Sequence, residues 1–118
     1  MLGTPMNNAI LTDQIKAGVP NLFPVTSARS LYQPIDHMKF ALAASYYDQM
    51  QAGMKWIIET KNKKTPCAMY QDTDFGADVF AGIKDQVEAM HMKLAEITTH
   101  KPTAVDFTAQ IAKLHDAK

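Results

Sequence analysis

The chain predicts an α/β fold of parallel strands joined through helices, and three features carry that prediction. Stretches with apolar residues at helical spacing alternate with short apolar runs of strand type. The run Pro66-Cys67-Ala68-Met69-Tyr70 lacks polar alternation, as expected of a strand buried on both faces of a parallel sheet. The chain has 118 residues, 47% of them apolar, and neither an internal repeat nor a low-complexity tract, which bounds it to about one domain's worth of fold.

The elements follow in order. A first helix spans about Asn7 to Lys16, closed by Gly18 and Pro20. Asn21 to Val25 is a strand candidate, and Thr26 to Pro34 is a loop because Ser27, Ser30 and Pro34 break any period. Lys39 to Ala43 is a second strand candidate. The next helix, Tyr47 to Lys61, carries Tyr47, Met50, Met54, Ile57 and Ile58 on one stripe. Ser45 stands at its N-cap, Asp48 completes a capping-box arrangement, and Lys61, Lys63 and Lys64 suit its C-terminal dipole. After the Pro66 to Tyr70 strand, a helix from Gly76 to Met90 aligns Val79, Phe80, Ile83, Val87 and Met90, with Asp74 and Asp78 at its positive end. Met92 to Thr98 is a further strand candidate, and a last helix from Asp106 to Ala117 groups Phe107, Ile111 and Leu114. Strands and helices in this order make Rossmann-like βαβ units. So few strands would leave sheet edges and a helix face uncovered, so the chain reads as a piece of a larger α/β protein.

Composition excludes several function classes. Twelve basic and twelve acidic side chains cancel, and Arg29 is the one arginine, so no basic face is available for nucleic acid. The longest interior apolar run, Phe40 to Ala44, falls far short of the roughly 20 residues that cross a bilayer, which excludes membrane insertion. Met1-Leu2-Gly3-Thr4-Pro5 has no basic region and no hydrophobic stretch of an export signal. The single Cys67 excludes an intrachain disulfide and is expected to be an inert, buried thiol. His37, His91, His100 and His115 share no metal-type spacing and are expected at the surface. Met50, Met54, Met69 and Met90 are expected to fill the core. No phosphate-binding glycine loop or Ser-His-Asp order is present, and no cofactor is expected.

Two constellations remain. Asp72-Thr73-Asp74-Phe75-Gly76 follows a strand and opens a helix, at the carboxyl end of a sheet where ligands bind. Asp72 and Asp74 either cap that helix and offset its dipole, or hold a metal ion for phosphotransfer. The second constellation is a set of hydroxyls at element ends: Thr4, Thr26-Ser27 and Ser45-Tyr46-Tyr47. Hydroxyls and free N–H groups at helix N-termini make carboxylate sites, although Ser45 is equally well read as a cap.

These residues also carry a resemblance. Gly3-Thr4-Pro5 and Gly18-Val19-Pro20-Asn21-Leu22-Phe23-Pro24-Val25-Thr26-Ser27 resemble two successive ligand-binding loops of the type I periplasmic solute-binding proteins, the branched-chain amino-acid receptor group of ABC importers. Ser45 to Gly53 resembles the start of that family's second lobe, Met69 to Asp78 its next strand-loop-helix, and Asp106 to Ile111 a later helix. The resemblance implies a non-catalytic, two-lobed receptor that closes on a small solute. It implies late first lobe in 1–35, a hinge crossing at 36–40 and an incomplete second lobe in 41–118. By position, Thr4 would receive a ligand carboxylate, and Val25, Thr26 and Ser27 would offer backbone N–H groups and the Ser27 hydroxyl. Ser45 and Tyr46 would lie near the ligand, and Phe75 would close over it. Tyr46 stands where many amino-acid receptors carry an acid, which admits an aromatic or other organic acid as well as an amino acid. The implied partners are the solute and the membrane permease of an ABC importer, in the periplasm. Uncovered edges imply a homodimer of this chain. A metal-dependent phosphotransfer enzyme using Asp72 and Asp74, and a regulatory ligand-binding domain of the same fold class, are the alternatives.

Overall fold

A computed structural model describes residues 2–117. Its elements are α1 (Thr4–Lys16), β1 (Asn21–Leu22), a 3-10 turn (Arg29–Leu31), β2 (Lys39–Phe40), α2 (Tyr46–Lys61), β3 (Ala68–Gln71), α3 (Asp74–Ala89), β4 (Ile97–His100) and α4 (Thr108–Asp116). They fall into two compact units that meet in sequence at Tyr46 and Tyr47.

In the first unit, α1 begins a turn earlier than the apolar spacing indicates, because Pro5 is preset for the first helical turn. Its end is a Schellman motif: the Val19 N–H donates to Gln14 O and the Gly18 N–H to Ile15 O, both at 3.0 Å. Gly18 holds φ 70°, which an L side chain resists. β1 and β2 pair in parallel, Asn21 with Lys39 and Leu22 with Phe40. Both are shorter than the apolar runs that contain them. Phe23 turns to φ 44° and Pro24 has no N–H to donate, so the ladder stops after Leu22. The chain resumes contact at Val25, which bridges Leu2 in parallel. Ala28 and Leu31, on the predicted loop, supply this unit's buried apolar side chains.

In the second unit, α2 follows Ser45 and buries Ile58, while Met50 and Met54 are half-buried and Ile57 is exposed. α2 and α3 approach closely. A Cβ on Gly82 would lie 2.4 Å from Tyr47 O. The Tyr47 hydroxyl donates to Asp85 Oδ2 at 2.6 Å and accepts from Gln51 Nε2 at 3.1 Å. β3 and β4 pair in parallel, with Tyr70 opposite Thr99 and Gln71 opposite His100. Tyr70 stacks on Phe80 of α3, with centroids 4.4 Å apart, while His100 meets Phe107 edge-on at 5.1 Å. Tyr70 and His100 are one register step apart, so α3 and the lead into α4 cover opposite faces of the sheet. Val87 and Ala68 are the best buried apolar side chains on this sheet and helix pair.

Several expectations need correction. The Pro66 to Tyr70 run is not buried on both faces: Met69 is 41% exposed and Cys67 is half-buried. β3 is an edge strand of a two-stranded sheet among the described residues, so the side facing away from β4 has no neighbouring strand. Met69 accordingly leaves the predicted core, while Met90 is half-buried in it. β4 lies later than expected, because residues 92–96 serve as the approach and pairing starts only where Ile97 meets Ala68. His37, His91 and His115 are exposed, but His100 is half-buried by its contact with Phe107. α4 starts at Thr108 rather than Asp106, because the Asp106 carboxylate accepts from the Thr108 N–H and hydroxyl just ahead of the helix.

Candidate functional site

The predicted hydroxyl residues of the first unit converge. The Gly3 N–H donates to Val25 O at 3.2 Å, which ties the entry of α1 to the loop after β1. That tie brings the Thr4 and Thr26 hydroxyls to 2.6 Å, 22 residues apart in sequence and both almost fully buried. The Ala28 N–H also points at the Thr26 hydroxyl, at 3.4 Å. The Tyr46 N–H donates to Ser27 O at 2.8 Å, so the start of α2 joins the same cluster. Ser45, immediately before it, is buried.

Two hydroxyls that share one hydrogen bond commit one proton between them and keep the other for a third acceptor. Ser27, next in the chain, is 9% exposed. Intrahelical bonding of α1 begins with the Asn7 N–H on Gly3 O, which leaves the first-turn N–H groups of Thr4 and Met6 at the positive end of the helix. Pro5 between them has none. Donors therefore outnumber acceptors here, which suits an anion. Val25 contributes its carbonyl to Gly3 and exposes its side chain, and the Thr26 N–H is taken by Pro24 O at 2.7 Å.

Sequence reading missed the polar tie beneath the cluster. Asn21 Nδ2 donates to Asn7 Oδ1 and to Gln14 Oε1, each at 3.0 Å, and Gln14 Nε2 donates to Pro20 O at 2.9 Å. Asn7 and Asn21 are buried, which fixes α1 against β1 and hence Thr4 in place. Asn7 and Gln14 at i, i+7 on one helix face were the available signal.

The remaining site residues belong to the second unit. Phe75 is the second residue of α3 and is 37% exposed. Thr73, rather than Asp72 or Asp74, caps α3 by accepting from the Gly76 N–H at 3.3 Å. Asp74 opens the first turn, and the Asp72 N–H donates to His100 O. A polar groove of about 360 Å³ lies at the carboxyl end of β3 and β4, lined by Asp72, His100, Lys101, Thr103 and Gln110. A wider pocket, about 600 Å³, lies at the opposite end of the sheet over Val87, Met92, Leu94 and Ile97, and no predicted site residue lines it. Among the described residues no group of three or more His, Cys, Asp or Glu converges on a metal position, and no helix is long and apolar enough to cross a membrane.

A family model described as periplasmic binding protein matches residues 4–118. A search of curated proteins finds no match. Among solved structures, a substrate-binding periplasmic protein from Ralstonia solanacearum superposes with a TM-score of 0.81 at 19% identity, over 96% of this chain and 32% of that one. A fatty acid ABC transporter substrate-binding protein from Thermomonospora curvata gives 0.83 at 21%, over 98% of this chain and 30% of that one. An extracellular ligand-binding receptor from Verminephrobacter eiseniae gives 0.73 at 22%, over 96% and 34%. At these identities the likeness is one of fold, and the chain spans about a third of each relative's length.

Proposed function

This chain belongs to the periplasmic binding protein family, and from that membership we propose that it is part of a receptor delivering a small carboxylate-bearing solute to an ABC importer. The observation that carries the proposal is the buried Thr4–Thr26 hydroxyl pair at the N-terminus of α1, beside the Ser27 hydroxyl. It is rich in donors and holds no carboxylate of its own, which favours an acid over a cation. The solute is an amino acid or an aromatic or other organic acid. Among the relatives in fold is the fatty acid ABC transporter substrate-binding protein from Thermomonospora curvata, and a fatty acid is a carboxylic acid. Ser45 and Tyr46 border the cluster through the Tyr46–Ser27 bond, and Phe75, the second residue of α3, is proposed as an aromatic ligand contact on the resemblance alone.

The first-lobe part is assigned to 1–35, the crossing to 36–40 and the second-lobe part to 41–118, with the compact units changing over a few residues later. The receptor works in the periplasm with a membrane permease, and Asp72 and Asp74 serve the fold rather than catalysis. The chain alone self-associates as a homodimer. Leu22, Phe23, Val25 and Leu42 in the first unit, and Met69, Ile97 and Ile111 in the second, leave apolar surface in water. At roughly 25 cal/mol per Å², covering about 800 Å² of such surface is worth on the order of 20 kcal/mol before association costs.

Saturation-transfer NMR with benzoate, leucine and octanoate, each beside its methyl ester, tests the ligand class. Each free acid should bind weakly, its ester should not, and Thr4→Val or Ser27→Ala should abolish the signal. Equal signals from acid and ester, or indifference to both substitutions, would overturn the reading.

A further inference from the structure

The contact between β4 and α4 is polar at one place. His100 of β4 meets Phe107 edge-on at the lead into α4. Thr98 lies two residues before His100 on the same strand, so its side chain faces the same side, toward α4. Ala109, Gln110 and Lys113 of α4, with Ile97, Thr98 and Thr99 of β4, line a groove of about 250 Å³. Ala109 and Lys113 stand one helical turn apart on the face that overlooks it, and Ala109 brings only a methyl, which leaves room between helix and strand.

The polar groups around this groove are mostly donors. Thr98 is 7% exposed, and its hydroxyl is buried with no hydrogen-bond partner among the described residues. Both walls are consecutive elements of one compact unit, so the β4–α4 contact itself encloses that hydroxyl. A buried hydroxyl without a partner costs free energy that a bound acceptor would return. Gln110 Nε2 gives one hydrogen to Thr99 O at 3.3 Å and keeps a second. Lys113 adds an ammonium, and among the described residues no carboxylate pairs with it. No Asp or Glu lines the groove, and Glu96, the nearest in sequence, gives its carboxylate to the Ile97 N–H.

We propose that this groove binds a small oxyanion, the head of a carboxylate or a phosphate. The Thr98 hydroxyl donates to it from the floor and Gln110 Nε2 from the side, while the Lys113 ammonium meets its charge from the helix. The site belongs to the second unit alone and uses none of the hydroxyl cluster of the first. Its failure would therefore leave the solute reading above untouched, and the reverse holds as well.

Proton–nitrogen NMR of the whole chain tests it, with sodium phosphate or sodium acetate replacing sodium chloride at constant ionic strength. The Gln110 side-chain NH2 and the Thr98 and Thr99 amides should shift along a saturating curve. A Kd on the order of 1 mM is expected, the scale of two or three hydrogen bonds to a charged group. Lys113→Gln should raise that Kd about tenfold. Thr98→Val keeps the shape and removes the hydroxyl. It should abolish saturation yet raise Tm in chloride by about 4 °C, because the fold leaves that hydroxyl unpaired. Saturation by acetate alone assigns a carboxylate ligand, by phosphate alone a phosphoryl one, and by both the shared oxyanion. Shifts that grow linearly and match those in chloride would mean an adventitious ion only and would overturn the site, as would saturation indifferent to both substitutions. A Thr98→Val protein with a lowered Tm would show that the hydroxyl has a partner within the fold, which also overturns the proposal.

Discussion

Gly82 sits at the tightest approach of α2 to α3, and replacing it with alanine tests the packing of the second unit directly. The added Cβ would lie 2.4 Å from Tyr47 O and 3.0 Å from the Tyr47 carbonyl carbon and Cα. Carbon contacts are comfortable at about 3.5–4.0 Å, and backbone atoms in a helix cannot swing aside as a side-chain tip can. The helices must therefore part by roughly an ångström, which also stretches the 2.6 Å bond from the Tyr47 hydroxyl to Asp85. Overpacking costs about 1–3 kcal/mol and the stretched bond about 1, whereas alanine returns about 1 through helix propensity. The net expectation is a loss of about 2 kcal/mol, or roughly 8 °C in Tm for a chain this size. Gly53, in α2, has nothing within 4 Å of its built Cβ, so Gly53→Ala should gain about 0.5–1 kcal/mol from propensity alone. Urea denaturation followed by circular dichroism, at one fixed protein concentration because association couples to folding, reads both. The same substitution should move Cm in opposite directions at the two sites. A Gly82→Ala protein stabilised as much as Gly53→Ala would refute the close approach.

Other outcomes follow from single contacts. Thr73→Ala should cost about 1 kcal/mol by removing the acceptor for the Gly76 N–H, and Thr73→Ser should restore most of it in the same denaturation assay. Gly18→Ala should cost about 1 kcal/mol although open space surrounds it, because φ 70° is the penalty rather than contact, and Gly18→Asn should be milder. Asp106 titrates below the ordinary carboxylate range because the Thr108 hydroxyl and N–H both donate to it. A folded value below the unfolded one means that its contribution to stability is complete above the unfolded pKa and is lost as pH falls through the folded one. Carbon-detected NMR titration should find that lowered midpoint, and Thr108→Ala should return it toward the usual value.

Helix positions were legible because their signals are local. The stripe Val79, Phe80, Ile83, Val87 and the turn ended by Gly18 depend on neighbours three to five residues away, and the structure differs only by a turn at the ends. The hydroxyl residues Thr4, Thr26 and Ser27 were likewise visible as types at element ends. What sequence could not supply was pairing. The meeting of the Thr4 and Thr26 hydroxyls, the Asn21 amide bridging Asn7 and Gln14, and the length of each strand all depend on groups far apart in the chain. A strand lasts only while a neighbour offers backbone partners in register. Asn21 to Val25 therefore shrinks to two residues once Phe23 leaves the extended region, and the apolar Pro66 to Tyr70 run becomes an edge with Met69 in water. Apolar residues at the right spacing determine which segments seek cover. Only the tertiary arrangement decides which of them find it, because burial and strand pairing belong to two segments at once and no single segment encodes them.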